Sequence, residues 1–194
     1  MVSVPFSNSG AKKNSNFKKD FNGENSGLVP PQNIQAEESV LGGILLDPDA
    51  IGRIADIIKP EAFYISSHKE IYRTALMLHS QGKPTDLTAM SAWLADNGSL
   101  EKIGGNNKLV ELVENVSSTA SIEQIASLIS DKFLRRQLIR SGNEVVQLGF
   151  DQSQATEEVL DKAEQKIFEI SQEKPSKGLT QAAEILTTTF NEIE

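Results

Sequence analysis

Apolar residues recur at helical spacing along this chain from Val29 onward, whereas the alternation typical of strands is scarce. The longest such stretch starts near Ile122, meets no glycine or proline before Gly142, and can continue to Gly149. A stretch of up to about 28 residues exceeds the usual length of a globular helix. The pattern predicts an all-α protein: a compact helical globule, then an antiparallel helical hairpin, then a separate linker helix.

The globule is predicted over residues 29–116, where short helical segments alternate with short connections. The first helix carries one stripe at helical spacing, formed by Ile34, Glu37, Val40, Leu41, Ile44 and Leu45. Asp47-Pro48 has the form of an N-cap followed by proline at the first helical position, which predicts that a second helix opens there. Ser67-x-x-Glu70 has the form of a capping box and predicts the start of a third.

Glycine and aspartate residues mark the remaining helix ends of the globule. Gly82 is expected to end the third helix, and Asp86 is expected to cap the next one. Trp93, at helical spacing in that helix, is expected to pack in the core. Gly104-Gly105 is interpreted as a tight turn before a final helix, because no lysine and hydroxyl follow it as phosphate binding would require.

The hairpin is predicted over residues 117–173. Its first helix begins after Ser121, and its second runs from about Thr156 to Gln172. A projecting pair of helices cannot cover both of its own apolar faces, so it is expected to pack against the globule or against a second hairpin. The residues expected at a dimerisation interface are Ile125, Ile129, Phe133, Leu160 and Ile167.

The two ends of the chain have a different character. Residues 1–28 are rich in Asn, Ser, Gly and Lys and are expected to form a disordered tail, which is solvated or else contacts nucleic acid or an acidic partner. Residues 174–194 are expected to form a linker and an amphipathic linker helix. Its apolar stripe has no evident partner within the chain and is expected to dock elsewhere through Ala182, Ile185, Leu186, Phe190 and Ile193.

Charge limits the possible partners. The formal net charge is -8, and because residues 1–28 carry four Lys, one Asp and one Glu, or +2, the remainder carries -10. Such acidity disfavours tracking a phosphate backbone. The one basic cluster on a predicted helix, Arg135-Arg136 with Arg140, is interpreted as a solvated or salt-bridged face, with a partner site as the alternative. No run of about 18 apolar residues occurs, so no membrane span is predicted.

A catalytic constellation is not evident. Gly82-Lys83 is followed by Pro84, which is incompatible with a phosphate-binding loop opening a helix. His68 and His79 are the only histidines, the chain has no cysteine, and both histidines are expected to be exposed or half-buried. No catalytic, cofactor or metal-ligating residue is therefore predicted in this segment.

A series of short motifs gives a more specific indication of the protein family. Residues 29–46, VPPQNIQAEESVLGGILL, are followed in order by Phe63-Tyr64, HKEIY at 68–72, PTD at 84–86, GSLEKIGG at 98–105, LRRQLI at 134–139 and LDKAE at 160–164. In order and spacing, these motifs resemble the N-terminal part of DnaB-type bacterial replicative helicases over about residues 29–194. The chain departs from the family at Ser121 and Ile125, where Asn and Tyr are usual, and at Lys108, where an aromatic residue is usual.

The resemblance implies a role. In that family six N-terminal domains form a hexameric collar, arranged as a trimer of dimers, on a ring of RecA-like motors that use ATP and magnesium to move along single-stranded DNA. The collar recruits primase, a helicase loader is a further possible partner, and the linker helix docks on the neighbouring subunit's motor. The intact protein would then be a cytoplasmic, nucleoid-associated helicase acting in DNA replication, and this segment would end just before its motor.

Two other classes remain open at the sequence level. A motorless adaptor or interaction protein of the replisome could carry the same domain. The reading frame after Glu194 would distinguish this hypothesis from that of a helicase. A helical DNA-binding regulator is a third class, which the charge of residues 29–194 disfavours.

Overall fold

The computed structural model describes residues 29–116 and 121–172, in which seven α-helices and two 3-10 turns are formed. The 3-10 turns span Pro60–Ala62 and Glu101–Ile103. The helices are α1 (Ile34–Leu46), α2 (Ala50–Ile54), α3 (Ser66–Ser80), α4 (Leu87–Asp96), α5 (Gly105–Glu114), α6 (Ile122–Phe150) and α7 (Thr156–Gln172). The all-α prediction is confirmed.

Several predicted helix ends are confirmed. The Asp86 carboxylate accepts a hydrogen bond of 2.9 Å from the N–H of Ala89 and so caps α4. Gly82 follows the end of α3 with a φ of +68°, a left-handed conformation that favours glycine. The N–H of Lys83 then donates to the carbonyl of Leu78, which closes the last turn.

The second and third helices begin differently from the sequence prediction. Asp47 still belongs to the end of α1, because its N–H donates to the carbonyl of Gly43, and its carboxylate accepts the N–H of Asp49 at 3.1 Å. Consequently α2 begins at Ala50 rather than at Pro48, and it has only five residues. The capping box predicted at Ser67 is also wrong: α3 begins at Ser66 after Ile65, with no side-chain cap of its own.

The core of the globule is built around α1, which packs against α3, α5 and α6. Its Val40, Leu41 and Ile44 are essentially inaccessible to solvent. A side chain at Gly42 would meet the Leu112 carbonyl oxygen of α5 at 2.1 Å, so glycine is required for the two helices to approach this closely. Trp93 packs against the core from its edge, as predicted.

The hairpin is confirmed as two helices joined through residues 151–155, the long α6 of 29 residues and the shorter α7. Ser121 precedes α6 as predicted, but its hydroxyl donates to the carboxylate of Glu123 and makes no cap hydrogen bond to the helix backbone. Between the two helices, Lys166 pairs with Glu144. Among the helices of residues 29–116 and 121–172, none is both long enough and apolar enough to cross a bilayer.

Candidate interaction surfaces on the hairpin

Arg136 fastens the long helix α6 to the globule. Its guanidinium donates to the carbonyl of Pro31 at 2.8 Å and to the carbonyl of Ala62. The same group lies 5.6 Å from the ring centre of Tyr64 and 5.8 Å from that of Phe133, within cation–π range. Burial lowers the pKa of the Arg136 guanidinium, because a charge is held partly away from water. This arginine therefore has a structural role at the junction.

Beneath this junction lies a buried carboxylate. Glu37 of α1 is 1% exposed, and its two oxygens accept the N–H of Tyr64 at 2.6 Å and that of Ile65 at 3.4 Å. The Nδ1 atom of His68 lies 2.9 Å from the same carboxylate. Glu37, from a distant part of the sequence, thus satisfies two N–H groups of the backbone that leads into α3, including that of the N-cap residue Ile65.

His68 corrects a sequence prediction. It is 1% exposed, not exposed or half-buried, because its ring is held by Glu37 in the interior. His79 is exposed, in agreement with the prediction. Within the parts of the chain that the structure describes, no three His, Cys, Asp or Glu side chains are grouped so as to hold a metal ion.

The five hairpin residues predicted at a dimer interface fall on two different surfaces. Ile129 is only 2% exposed and belongs to the globule's core, and Ile125 and Phe133 are partly buried against the same core. Leu160 and Ile167, in contrast, are 58% and 48% exposed on α7. The structure therefore does not bring the five together: three join the hairpin to its own globule, and two remain on the surface.

Ile167 belongs to a largely apolar groove between the distal parts of α6 and α7, whereas Leu160 lies outside the lining of that groove. Five small or apolar residues line it: Gly142 and Val145 on α6, and Ala163, Ile167 and Phe168 on α7, while the polar side chains of Asp161, Glu164, Gln165 and Ser171 complete its lining. The absence of a side chain at Gly142 leaves open space there, and Phe168 is 59% exposed. A contiguous apolar groove on an acidic surface marks an interaction site more often than a solvated face. We call these five residues the hairpin groove.

The predicted basic cluster is divided in its roles. Arg135 pairs with Asp131 at 2.9 Å and Arg140 with Glu144 at 3.1 Å, each one helical turn apart, as the salt-bridged interpretation predicts. The hydrogen bond from Arg135 lowers the pKa of the Asp131 carboxyl, as expected for an ion pair. Arg136 instead turns toward the globule. Spacing alone could not separate it from its neighbours.

Two features of the site went unrecognised in the sequence. Gly142 and Phe168 of the hairpin groove were not identified as surface residues, although Phe168 lies next to Ile167. The role of Glu37 was also missed, and its signal was visible: a glutamate inside an otherwise apolar stripe. The residues predicted to dock through the linker helix, Ala182, Ile185, Leu186, Phe190 and Ile193, lie outside the described residues.

Comparison with known proteins gives consistent results. The family model of the DnaB-like helicase N-terminal domain matches residues 29–131. Among curated proteins, the replicative DNA helicase DnaB of a Nostoc species is 53% identical over 90% of this chain, and that of Geobacillus stearothermophilus is 37% identical over 86%. The chain spans 20% of the length of the first and 37% of the second.

Solved structures agree with the sequence comparison. The N-terminal domain of DnaB helicase from Mycobacterium tuberculosis matches with a TM-score of 0.67 and 38% identity, covering 73% of this chain and 99% of that one. A DnaB-like replicative helicase, described together with its interactions with primase, matches with a TM-score of 0.61 and 26% identity. That match covers 80% of this chain and 35% of the other.

Proposed function

The chain belongs to the DnaB-like helicase N-terminal domain family, and on that premise we propose that it is the collar of a replicative DNA helicase. In this role copies of the chain associate into dimers and then into a hexameric ring, a trimer of dimers. The collar organises the ring and recruits primase during DNA replication, with a helicase loader as a further partner. The function places the protein in the cytoplasm, at the nucleoid.

The observation that carries this proposal is the hairpin groove. Leu160, Ile167 and Phe168 expose apolar surface on a helix that buries no residue of its own, so α7 has little reason to remain folded against α6 unless a partner covers it. A second copy presents the same surface, and a self-complementary patch is what a two-fold dimer requires. We therefore place the dimer contact on the hairpin groove and on Leu160, one helical turn before Ala163, so that Leu160 and Ile167 are both retained from the sequence prediction.

The proposal that the collar recruits primase is supported by a related protein. A DnaB-like helicase that matches this chain has been described with its primase interactions, and the match extends over most of the chain. The catalytic work is assigned to a RecA-like motor domain beyond this segment, which would bind ATP and magnesium and move along single-stranded DNA. The linker stripe, with Phe190 at its centre, is proposed to dock on the motor of the neighbouring subunit.

Self-association can be tested through one substitution in the hairpin groove. We expect Ile167→Asp to convert dimers into monomers in light scattering coupled to size exclusion, because a carboxylate in an apolar contact must be desolvated without a partner. The matched control is Met77→Asp, which places the same charge on an apolar residue of α3 that is 40% exposed, against 48% for Ile167. The control should keep the mass of the unmodified chain.

Two results would contradict the proposal. A strict monomer of the unmodified chain at high concentration would remove the self-association on which the collar depends. Equal effects of Ile167→Asp and Met77→Asp would show that the contact lies elsewhere or that charge alone changes the mass. A stop codon directly after Glu194 in the natural gene would assign the chain to a motorless adaptor instead.

A further inference from the structure

A second concave surface, separate from the hairpin groove, lies where the globule meets α6. It is a cleft of about 550 Å³ between the 3-10 turn at Pro60–Ala62, the start of α3 and the middle of α6. We call it the junction cleft. Its lining residues are Lys59, Glu61, Phe63, Tyr64, Lys69 and, on α6, Phe133, Arg136, Gln137 and Arg140.

The junction cleft has an excess of positive charge that the described part of the chain does not neutralise. Its carboxylate, Glu61, already pairs with Arg73 at 3.4 Å, outside the cleft, and Arg140 pairs with Glu144. Lys59, Lys69 and Arg136 form no ion pair with any residue that the structure describes. Three cations that form no ion pair among the described residues therefore line one cleft of a protein whose net charge is negative.

Arg136 differs from the lysines of the junction cleft because it is partly buried and fixed in position. Its side chain is partly buried, and its two hydrogen bonds go to the neutral carbonyls of Pro31 and Ala62. Moving a guanidinium out of water costs free energy, and neutral carbonyl acceptors do not supply an opposite charge. The negative charge of the more distant Glu37 offsets this cost only in part. An anion entering the cleft would meet a charge that is already fixed in position, so little ordering would be required on binding.

We propose that the junction cleft binds an acidic segment of a partner protein, with Asp or Glu side chains facing Lys59, Lys69 and Arg136. Charge complementarity selects an acidic ligand. The exposed edge of Tyr64, which is 39% accessible, offers apolar contact to the aliphatic part of such a segment. This inference concerns a surface distinct from the hairpin groove and does not depend on how copies of the chain assemble.

A protein segment is favoured over nucleic acid by two observations. A nucleic-acid site needs cations that continue along the strand and free aromatic faces on which bases can stack. Here the cations are confined to one cleft, and one face of Tyr64, on which a base could stack, is already occupied by the guanidinium of Arg136.

The test uses the full 194-residue chain and a short labelled peptide rich in Asp and Glu, with fluorescence anisotropy as the readout. We expect the acidic peptide to bind, its Asn and Gln analogue not to bind, and salt to weaken the binding. The double variant Lys59→Glu/Lys69→Glu should weaken binding by about tenfold or more. The control Lys83→Glu/Lys102→Glu makes the same change in net charge on surfaces away from the cleft and should change it by less than about twofold.

Thermal unfolding of both double variants establishes that they are folded, and Lys59→Gln/Lys69→Gln provides a milder neutralisation that should give an intermediate loss. An oligothymidylate of equal charge that binds more tightly than the peptide would overturn the proposal in favour of nucleic acid. Competition by inorganic phosphate as effective as the peptide would reduce the cleft to a simple anion site. Equal losses in the two double variants would show that the cleft is not the binding surface.

Discussion

Helix α6 is buried against the globule at its start and exposed to solvent at its end, and this difference separates two regions of the molecule. Its buried residues, Ala126, Ile129 and Ser130, all lie in its first turns, where it packs on the globule. Its later turns, with Leu138 54% exposed, and the whole of α7 contain no buried residue in the part of the chain that the structure describes. The same helix is a core element at one end and an exposed arm at the other.

The difference shows how stability and function are separated in this fold. The globule buries large side chains such as Phe63 and Tyr72, whose rings lie 4.9 Å apart, and it does not need a partner for that burial. The distal hairpin leaves its apolar residues exposed, so that covering them contributes free energy to association rather than to folding of the single chain. Substitutions in the two regions should therefore affect different measurements.

The largest effect is expected at Ile129, which is 2% exposed in the core. We expect Ile129→Ala to lower the free energy of unfolding by about 2–5 kcal/mol, because it removes buried methylene groups and leaves a cavity. The matched change Ile167→Ala, at a position 48% exposed in the hairpin groove, should alter it by about 0.5 kcal/mol or less in dilute solution. Urea titration measures both values.

The comparison is sharpened by protein concentration. If the hairpin groove is an association surface, Ile167→Ala should reduce the concentration dependence of the unfolding midpoint, whereas Ile129→Ala should lower the midpoint at every concentration. Similar losses of stability from both substitutions in dilute solution would break the distinction between core and arm.

Most of the fold could be predicted because helix spacing and terminal residues are local properties. The cap at Asp86, the stop at Gly82 and the limits of α7 were read from a few neighbouring residues each. The start of α3 could not be predicted in this way. The backbone that leads into α3, at Tyr64 and Ile65, is held by Glu37, some thirty residues earlier. A motif of four adjacent residues contains no information about so distant a partner.

The candidate site was predicted less well, also for a physical reason. Helical periodicity identifies an apolar face but not the surface that covers it. Ile125, Ile129 and Phe133 form such a face, and the globule of the same chain covers it. Leu160 and Ile167 form another, which the described part of the chain leaves uncovered. Only the placement of α6 on α1 distinguishes the two cases.

An intermediate effect is expected at two helical glycines. Gly42 lies where α1 meets α5, and Gly149 lies in the exposed arm with no atom within 4 Å of an added Cβ. We expect Gly42→Ala to destabilise the protein by about 1–3 kcal/mol, because its methyl group would overlap the backbone carbonyl of Leu112. Gly149→Ala should stabilise it by about 0.5–1 kcal/mol, since alanine is the better helix former.

Thermal unfolding of the two variants gives the sign of each change directly. Opposite signs are the expected outcome, and the buried position should have the larger magnitude. A Gly42→Ala variant as stable as the unmodified chain would mean that α1 and α5 can separate at low cost. In that case the globule would be less rigidly packed than the contact at Leu112 implies.

The smallest effects concern ion pairs, and they compare the same two regions once more. Lys108 joins α1 to α5 through Glu38 at 3.1 Å, with both side chains about one-fifth exposed. Burial acts to lower the pKa of Lys108, but the hydrogen bonds and charges of Glu38 and Glu111 outweigh it and raise the pKa. Arg135 and Asp131 form an exposed pair on the solvent side of α6, just beyond its buried turns, where the arm begins. Double-mutant cycles to Ala should give a coupling of about 1 kcal/mol for the first pair and about 0.3–0.5 kcal/mol for the second.

The pH dependence of the two couplings should also differ. Asp131 has a lowered pKa in the folded protein, so its contribution is present above the unfolded value near 4 and is lost as the pH falls through the folded value. Lys108 has a raised pKa, so its contribution is complete below the unfolded value near 10.4 and is lost as the pH rises through the folded value. Added salt should weaken the exposed pair more than the partly buried one, because solvent ions screen it directly. Equal couplings with equal salt sensitivity would indicate that the globule and the arm provide the same electrostatic environment, contrary to their difference in burial.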